Sequence, residues 1–408
     1  MPDQVMTTKL DGFGTTIFAE MSALAVETGA INLGQGFPDT DGPPVVLDAA
    51  VDAIRGGVNQ YPPGPGDPDL RAAIVEHQRR WYGIDLDADT EVVVTAGATE
   101  ALAAAMLGML DAGDEVVVFE PMYDSYRAGI ALADAVAVPV LLRPVDGRWV
   151  FDPDELRAAT SERTKIILLN TPHNPTGKVF DRDEMGEIAR VAIDNDLIVV
   201  TDEVYEHLVF DGHEHVPMAT LPGMFERTLT ISSGGKTFHT TGWKIGWMTG
   251  PADLVTAAKT AKQFLTYVNG APFQPAIAAG LRLDDDHFEQ LRHDLQTARD
   301  HLADGLERAG FPTIRPEGSY FVTVDVRPFR DDGDGVAFCR DLPHHAGVVA
   351  VPSAAFYVRP EHGRHLVRFA CCKRLEVVDR AVERMVESFS GSSDDQRSTA
   401  ATPGEDQR

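Results

Sequence analysis

Two residues of this chain combine a reactive side chain with a position at the end of an apolar, strand-like run. Lys236 follows the run TLTISSGG and lies among small residues that leave its amine accessible within a pocket. Asp202 ends the run LIVVTD, and Tyr205 follows it in DEVY. A lysine amine that is desolvated or near another cation has a lowered pKa, and its neutral form can condense with an aldehyde. The sequence therefore predicts covalent amine chemistry with a carboxylate nearby.

A turn rich in small residues before a predicted helix is a candidate phosphate site. In TAGATEAL, the backbone N–H groups of Gly97, Ala98 and Thr99 lie at a helix N-terminus, where the helix dipole favours an anion. Ser233 and Lys244 supply a hydroxyl and a cation in the segment that contains the reactive lysine. Two other glycine motifs fail as nucleotide sites, since GQGFPD lacks the third glycine of a dinucleotide fingerprint and GGKT lacks the first glycine of a P-loop.

One cofactor matches this set of side chains group by group. Pyridoxal phosphate has an aldehyde for Lys236, a phosphate for the turn, a pyridine nitrogen for Asp202 and a phenolic oxygen for hydroxyl or amide donors. The sequence therefore predicts pyridoxal 5'-phosphate as the cofactor.

The elements that must position these residues alternate between strands and helices. Apolar runs at 91–97, 115–121, 164–172, 197–205 and 227–235 are separated by helical stretches such as 98–110 and 182–196. Runs that are apolar on both faces favour a mainly parallel sheet flanked by helices, which is an α/β fold. After about residue 285 a long charged helix and short strands indicate a smaller α+β unit.

We therefore divide the chain into four parts. They are an N-terminal segment joining the small domain (1–40), a large cofactor-binding α/β domain (41–285), a small α+β domain (286–390) and a disordered tail (391–408) with almost no apolar residues.

The composition limits which binding partners and which cellular compartment are expected for this chain. The 36 basic and 63 acidic residues among 408 give a net charge of −27, which disfavours nucleic acid and anionic membranes. No apolar run is long enough to span a bilayer and the start lacks a signal-peptide layout, so a cytoplasmic protein is expected. Three cysteines, two of them adjacent, predict free thiols and provide neither a disulfide framework nor a metal clip, and no metal site is expected.

Seven motifs, in order, resemble those of the class I and II pyridoxal-phosphate-dependent aminotransferases, which have the aspartate aminotransferase fold (fold type I). The similarity extends from about residue 10 to residue 388. The motifs are INLGQGFPD (31–39), TAGATEAL (95–102), EPMYDSY (120–126), NTPHNPTGK (170–178), DEVY (202–205), SGGKTFHTTGWKIGW (233–247) and LVRF (366–369).

The resemblance implies roles around the cofactor ring. Lys236 holds the cofactor as a Schiff base and later moves a proton, while Asp202 keeps the pyridine nitrogen protonated. Asn174 and Tyr205 hydrogen-bond the ring oxygen, and Tyr123 stacks on the ring.

It also implies a shared phosphate site and a substrate site. A homodimer is implied, in which the phosphate is bound by Gly97, Ala98, Thr99, Ser233, Lys244 and, from the second subunit, Tyr61. Arg368 binds the substrate α-carboxylate through its planar guanidinium, together with the N–H of Gly36 and the amide of Asn174.

The implied reaction is ping-pong transamination between small molecules. An amino acid donor, with glutamate expected, gives its nitrogen to the cofactor, and a 2-oxo acid or aldehyde-bearing acceptor takes it up. Longer stretches resemble actinobacterial aminotransferases assigned to N-succinyldiaminopimelate in lysine biosynthesis. The acceptor in that pathway, N-succinyl-2-amino-6-oxopimelate, requires cations for its distal carboxylates, and residues 263–281 contain neither lysine nor arginine.

Two alternatives use the same cofactor. Lys244, where many relatives have arginine, moves the chain toward the kynurenine and glutamine aminotransferase branch, which accepts bulky neutral side chains. Candidate walls for such side chains are Phe13, Phe18, Tyr123 and Tyr267. A cysteine-S-conjugate β-lyase would instead eliminate a leaving group from Cβ.

Four other polar residues are assigned no role in the reaction. His173 and His239 lie within the motifs, but the resemblance requires neither, and Cys371 and Cys372 are expected to be inert core thiols.

Overall fold

A computed structural model describes residues 6–14 and 16–390, so the predicted tail at 391–408 lies outside the described residues. The strands are β1 (Ile31–Asn32), β2 (Val92–Thr95), β3 (Glu115–Glu120), β4 (Val136–Leu141), β5 (Arg143–Val145), β6 (Arg148–Val150), β7 (Thr164–Asn170), β8 (Ile198–Asp202), β9 (Thr228–Ser233), β10 (Gly246–Thr249), β11 (Thr313–Ile314), β12 (Phe321–Asp325), β13 (Val348–Val349), β14 (Val351–Pro352) and β15 (Leu366–Ala370).

The α-helices are α1 (Ile17–Thr28), α2 (Pro44–Arg55), α3 (Pro68–Tyr82), α4 (Gly97–Met109), α5 (Asp124–Leu132), α6 (Pro153–Ala158), α7 (Arg182–Asp194), α8 (Gly234–Thr237), α9 (Ala252–Leu265), α10 (Phe273–Leu281), α11 (Asp285–Arg308), α12 (Gly335–His345) and α13 (Leu375–Phe389). Single 3₁₀ turns occur at Thr8–Leu10, Met218–Thr220, Phe225–Arg227, Thr241–Trp243, Arg327–Phe329, Ser353–Phe356 and Pro360–Gly363.

A seven-stranded sheet in the order β2-β10-β9-β8-β7-β3-β4 carries most of the predicted motifs. Its strands pair in parallel except β10, which is antiparallel to both of its neighbours. Strands β2, β3 and β9 are buried along their whole length. Burial on both faces explains their uninterrupted apolar sequences, because helices cover both faces of a parallel sheet.

The carboxyl ends of three neighbouring strands meet at one edge of this sheet. Asn170 ends β7 opposite Asp202 at the end of β8, and Ser233 ends β9. Ser233 in turn lies opposite Gly246 at the start of β10. Ligands of open α/β sheets bind at this edge, so the fold gathers the predicted polar residues where a site is expected.

A second, antiparallel sheet has the order β11-β12-β15-β14. Arg368 lies on β15 between Thr323 of β12 and Val351 of β14. The short strand β1 pairs in parallel with β13, so the segment before the large sheet is joined to the C-terminal region. The four domain boundaries drawn from the sequence remain a prediction. Within the described part of the chain, no helix is both long and apolar enough to cross a bilayer.

Candidate active site

A cavity of about 470 Å³ opens at the carboxyl ends of β7, β8 and β9. Every residue that was predicted to bind the cofactor or the substrate carboxylate, except Tyr61, lines it. These are Gly36, Gly97, Ala98, Thr99, Tyr123, Asn174, Asp202, Tyr205, Ser233, Lys236, Lys244 and Arg368. The structure therefore brings together residues that are as much as 332 positions apart in the sequence (368 − 36).

Lys236 lies on α8, the short helix that follows β9 directly. Its Nζ donates to the carbonyl oxygen of Gly36 at 3.3 Å and lies 5.6 and 5.7 Å from the ring centroids of Tyr205 and Tyr320. Burial lowers the pKa of this amine, although the nearby Asp202 opposes the shift. The surroundings therefore favour a neutral, nucleophilic amine more than water does.

Two other lysines are more deeply buried, but both are tied into place. Lys178 donates to both carboxylate oxygens of Glu184, at 2.7 and 2.8 Å. Lys262 donates to the carbonyl oxygens of Gly64 and Tyr267. In contrast, Lys236 has no ion pair and a single, longer hydrogen bond among the described residues, so its amine is held more weakly than the other two.

Asp202 is a buried carboxylate that accepts few hydrogen bonds from the residues around it. Its Oδ2 accepts from the hydroxyl of Tyr126 at 2.7 Å, and its Oδ1 accepts a longer bond from the backbone N–H of Val204 at 3.4 Å. Burial raises the pKa of Asp202 to about 6, although the Tyr126 hydroxyl acts in the opposite direction. A cationic N–H group in the cavity would relieve this cost, as the protonated nitrogen of a pyridine ring does.

Two residues that hold the site together were missed by sequence reasoning. Asn170 Oδ1 accepts from the backbone N–H of Asn174 at 2.6 Å, and its Nδ2 donates to the backbone oxygen of Asp202 at 2.7 Å. Tyr126 orients Asp202, as described above. The available signals were the amide that ends the run TKIILLN and the second tyrosine of EPMYDSY. Neither type of residue is reactive, so neither was singled out.

The helix N-terminus predicted to bind phosphate is built around two glycines. Gly97 begins α4 with φ of +73°, and a Cβ there would lie 3.3 Å from Cε and Nζ of Lys244. A Cβ on Gly246 would lie 2.6 Å from the carbonyl carbon of Gly97 and 2.8 Å from the nitrogen of Ala98. A lysine amine therefore lies beside the positive end of the helix, and the cradle fits a phosphate group.

Arg368 places a buried guanidinium in another wall of the cavity. Its Nη1 donates to Oδ1 of Asn174 at 2.8 Å, and its Nη2 donates to the carbonyl oxygen of Gly34 at 3.1 Å. The group lies 4.0 Å from the ring centroid of Phe321, and its Nε has no hydrogen-bond partner among the described residues. Burial lowers the pKa of Arg368 to about 10, which still leaves it cationic at neutral pH. A carboxylate is the missing counter-ion.

The predicted aromatic walls are only partly found in this cavity. Phe18 and Tyr123 line it, whereas Phe13 lines an adjoining cavity and Tyr267 lines neither. The ring of Tyr267 instead contacts that of Tyr61, with centroids 5.7 Å apart. Tyr61 itself is 83% exposed and lies outside the cavity of its own chain.

The polar residues that were assigned no role lie outside the cavity. His173 is buried and hydrogen-bonds the Thr176 hydroxyl at 2.8 Å, and burial lowers its pKa to about 3. His239 hydrogen-bonds Thr40 at 2.7 Å. Cys371 and Cys372 are buried free thiols, and burial raises the pKa of Cys372 to about 11.

Comparison with known proteins gives a consistent set of matches. The family model described as aminotransferase class I and II matches residues 28–385. A protein of Mycobacterium tuberculosis named probable N-succinyldiaminopimelate aminotransferase DapC is 52% identical over 387 residues, covering 92% of this chain and 97% of that protein. A kynurenine–oxoglutarate transaminase of Mus musculus is 37% identical over 401 residues, covering 92% and 88%.

Solved structures agree with the sequence matches. The N-succinyldiaminopimelate aminotransferase from Mycobacterium tuberculosis superposes with a TM-score of 0.91 at 50% identity, over 94% of this chain and 99% of that one. Aspartate aminotransferase from Thermus thermophilus superposes with a TM-score of 0.87 at 31% identity, over 94% and 100%. The predicted α/β fold class is confirmed.

Proposed function

The chain belongs to the class I and II aminotransferase family and is an aminotransferase, and we propose that it uses pyridoxal 5'-phosphate to move an amino group from an amino acid to a 2-oxo acid or related carbonyl acceptor. One observation carries the cofactor proposal. A weakly held lysine amine, a buried carboxylate of raised pKa and a helix N-terminus beside a second lysine line a single cavity. These groups match the aldehyde, the ring nitrogen and the phosphate of one molecule.

Bound pyridoxal phosphate supplies an aldehyde that takes up the amino group and a ring that accepts the electron pair released at the substrate Cα. Lys236 would hold the cofactor through its amine, and after substrate has taken the place of that amine its Nζ would carry the proton from Cα to C4′ of the cofactor. The Asp202 carboxylate, which the Tyr126 hydroxyl orients at 2.7 Å, would accept a hydrogen bond from the ring N–H and keep that nitrogen protonated. Asn174 and Tyr205 would hydrogen-bond the ring oxygen.

The remaining residues orient the two ligands. The N–H groups of the α4 N-terminus, with Ser233 and Lys244, would hold the phosphate, and the ring of Tyr123 would stack on the cofactor. Arg368 binds the substrate α-carboxylate through its fork, helped by Asn174 and the N–H of Gly36. Aromatic rings around the guanidinium exclude water, which strengthens this ion pair.

For the substrates, we propose glutamate as the donor and N-succinyl-2-amino-6-oxopimelate as the acceptor, as in lysine biosynthesis. The 52% identity to the named Mycobacterium tuberculosis protein over most of both chains supports this choice. The second candidate is a kynurenine or glutamine type of aminotransferase, or a cysteine-S-conjugate β-lyase. The aromatic side chains of Phe18 and Tyr123 in the cavity and the 37% identity to a kynurenine transaminase support it.

We further propose a homodimer in which Tyr61 reaches the phosphate of the other subunit. Tyr61 and Phe264 are 83% and 80% exposed, and large aromatic side chains at this exposure suit burial against a second copy. Sedimentation equilibrium that finds a monomer at assay concentrations would contradict this part. We place the enzyme in the cytoplasm, which the three buried, unpaired cysteines support.

The test combines one variant with a substrate screen. Lys236→Ala should abolish transamination and the visible absorption that the cofactor shows when it is joined to the protein. Lys165→Ala is the control, because Lys165 is an exposed lysine at the start of β7 and should keep both. A Lys236→Ala protein that still turns over would refute the mechanism.

The screen then separates the candidate substrates. Glutamate is paired in turn with N-succinyl-2-amino-6-oxopimelate and the 2-oxo acids of glutamine and methionine, and kynurenine is tested as the donor with 2-oxoglutarate as the acceptor. Pyruvate release from a cysteine conjugate reports β-lyase activity. A higher kcat/KM for a neutral acceptor than for the succinylated one would favour the second candidate.

A further inference from the structure

A second cavity adjoins the candidate active site. Its volume is about 380 Å³, and it shares Thr16, Phe18 and Asp124 with the first cavity. It lies between the segment around Phe13 and helix α5. Apart from Phe13 and Phe18, the candidate walls for a neutral side chain, its lining residues have been given no role above. The two cavities are therefore neighbours, and these three residues line the boundary between them.

One cation lines this second cavity. Arg127 lies on α5 one turn after Asp124, is half-buried, and its guanidinium carbon lies 5.1 Å from the ring centroid of Phe13. Among the described residues, no hydrogen bond or ion pair holds this guanidinium. By contrast, Arg143 is bound by Glu155 through two hydrogen bonds of 2.6 and 3.0 Å. The N–H donors of Arg127 are thus available to a ligand, and the guanidinium lies within cation–π distance of an aromatic ring.

From this geometry we propose that the second cavity is a side-chain subsite in which Arg127 binds a second carboxylate of the substrate. The inference rests on the proposed function, because it takes the α-carboxylate to be held by Arg368 in the first cavity. The substrate class is then a 2-oxo acid, or the matching amino acid, with another carboxylate several bonds from the reacting carbon. A bidentate guanidinium–carboxylate contact supplies the specificity.

The acidic residue between the two cavities sets a lower limit on substrate length. Asp124 is the first residue of α5, and its carboxylate accepts from the backbone N–H of Ser125. The helix N-terminus offsets part of this charge. Even so, a carboxylate that ended beside Asp124 would be repelled. Long dicarboxylic side chains that reach Arg127 are therefore favoured over short ones.

The test compares two acceptors of equal length that differ only in the terminal charge. With glutamate as donor, the wild type should have a higher kcat/KM for 2-oxoheptanedioate than for 2-oxoheptanoate. Arg127→Gln should lower the value for the dicarboxylate about tenfold, which is the lower end for a charged hydrogen bond because solvent screens a half-buried group. The value for 2-oxoheptanoate should change less than about threefold, because that acceptor has no charge for Arg127 to bind.

Two further variants separate recognition from a structural effect. Arg127→Lys should retain part of the preference for the dicarboxylate, since the charge remains while the fork is lost. Arg190→Gln removes one positive charge from an exposed site on α7 and should leave the preference intact. Equal losses for both acceptors in Arg127→Gln, or no loss for either, would overturn the inference.

A binding experiment gives a readout independent of turnover. Heptanedioate has no reacting carbonyl, and calorimetry on the cofactor-loaded enzyme should show about tenfold weaker binding to Arg127→Gln than to the wild type. Equal affinities would overturn the subsite. If the wild type transfers no amino group to any acceptor, the proposed function fails, whereas the binding comparison still decides the role of Arg127.

Discussion

Replacing Asp202 by asparagine should stabilise the cofactor-free protein while impairing the enzyme. The carboxylate is buried, and its pKa is raised from an ordinary 3.8 to about 6. The folded state therefore binds this proton more tightly than the unfolded state does. This tighter proton binding adds to the free energy of unfolding below about pH 4, and the contribution is lost as the pH rises through about 6. A neutral side chain at this position avoids that loss, but it cannot form an ion pair with a cationic ring.

The size of the effect follows from the shift of about two pKa units. At roughly 1.4 kcal/mol per unit, the ionised carboxylate destabilises the cofactor-free fold by about 3 kcal/mol above pH 7, and by roughly half of that at pH 5. Asp202→Asn removes this destabilising charge, and the amide oxygen of the new side chain can still accept a hydrogen bond from the hydroxyl of Tyr126. Its Tm should exceed that of the wild type by a few degrees at pH 8 and by less at pH 5.

Thermal unfolding of cofactor-free and cofactor-loaded samples is the assay. Asp52→Asn, at an exposed position on α2, is the control and should show no such pH-dependent gain. With cofactor bound the order should reverse, because the carboxylate then pairs with the protonated ring nitrogen, and kcat of the variant should fall severely. A cofactor-free variant that melts below the wild type at pH 8 would refute the reasoning.

Two further predictions concern the anion sites. Gly246→Ala places a Cβ 2.6 Å from the carbonyl carbon of Gly97, so the α4 N-terminus must shift, and a cofactor titration should show markedly weaker affinity, by about tenfold or more, with the fold retained by circular dichroism. Arg368→Lys loses the planar guanidinium that we propose binds the α-carboxylate, so kcat/KM should fall about 100-fold for every 2-oxo acid, whatever its side chain. That uniform loss distinguishes it from the charge-selective loss expected at Arg127, and a side-chain-dependent loss would contradict the assignment.

The buried parallel strands were predictable because the length and composition of their sequences suit a buried strand. Strands β3 and β7 are continuous apolar runs of a length that suits a strand, and turn residues end them. Strand β10, by contrast, was not predicted: its four residues, GWMT, begin within the motif SGGKTFHTTGWKIGW (233–247) and are too few to show an alternation of polar and apolar residues. Its antiparallel direction depends on pairing with β2 and β9, which is a tertiary property. The edge strand β4 was also missed, since its run VAVPVL is interrupted by Pro139.

Residues of the candidate site were predictable where reactivity or a motif singled them out. Lys236 and Asp202 were found because a lysine and an aspartate at strand ends are chemically conspicuous. Asn170 and Tyr126 were not, since each matters only through the atom that it positions. Arg127 has no motif either; its importance comes from a cavity that exists only after α5 packs beside the N-terminal segment.

The electrostatics of Arg368 fit the proposed binding of acids at this site in a protein of net charge −27. The guanidinium is 1% exposed, and no carboxylate in the described part of the chain lies within ion-pair distance, so neutral acceptors and aromatic faces hold it. A buried cation without a counter-ion weakens the fold, and an apolar residue of similar size would be more stable there. The unsatisfied charge is nevertheless what a substrate carboxylate can pair with, shielded by low-dielectric surroundings from the acidic surface. The same uncompensated charge that destabilises the fold therefore strengthens the proposed binding of a substrate carboxylate.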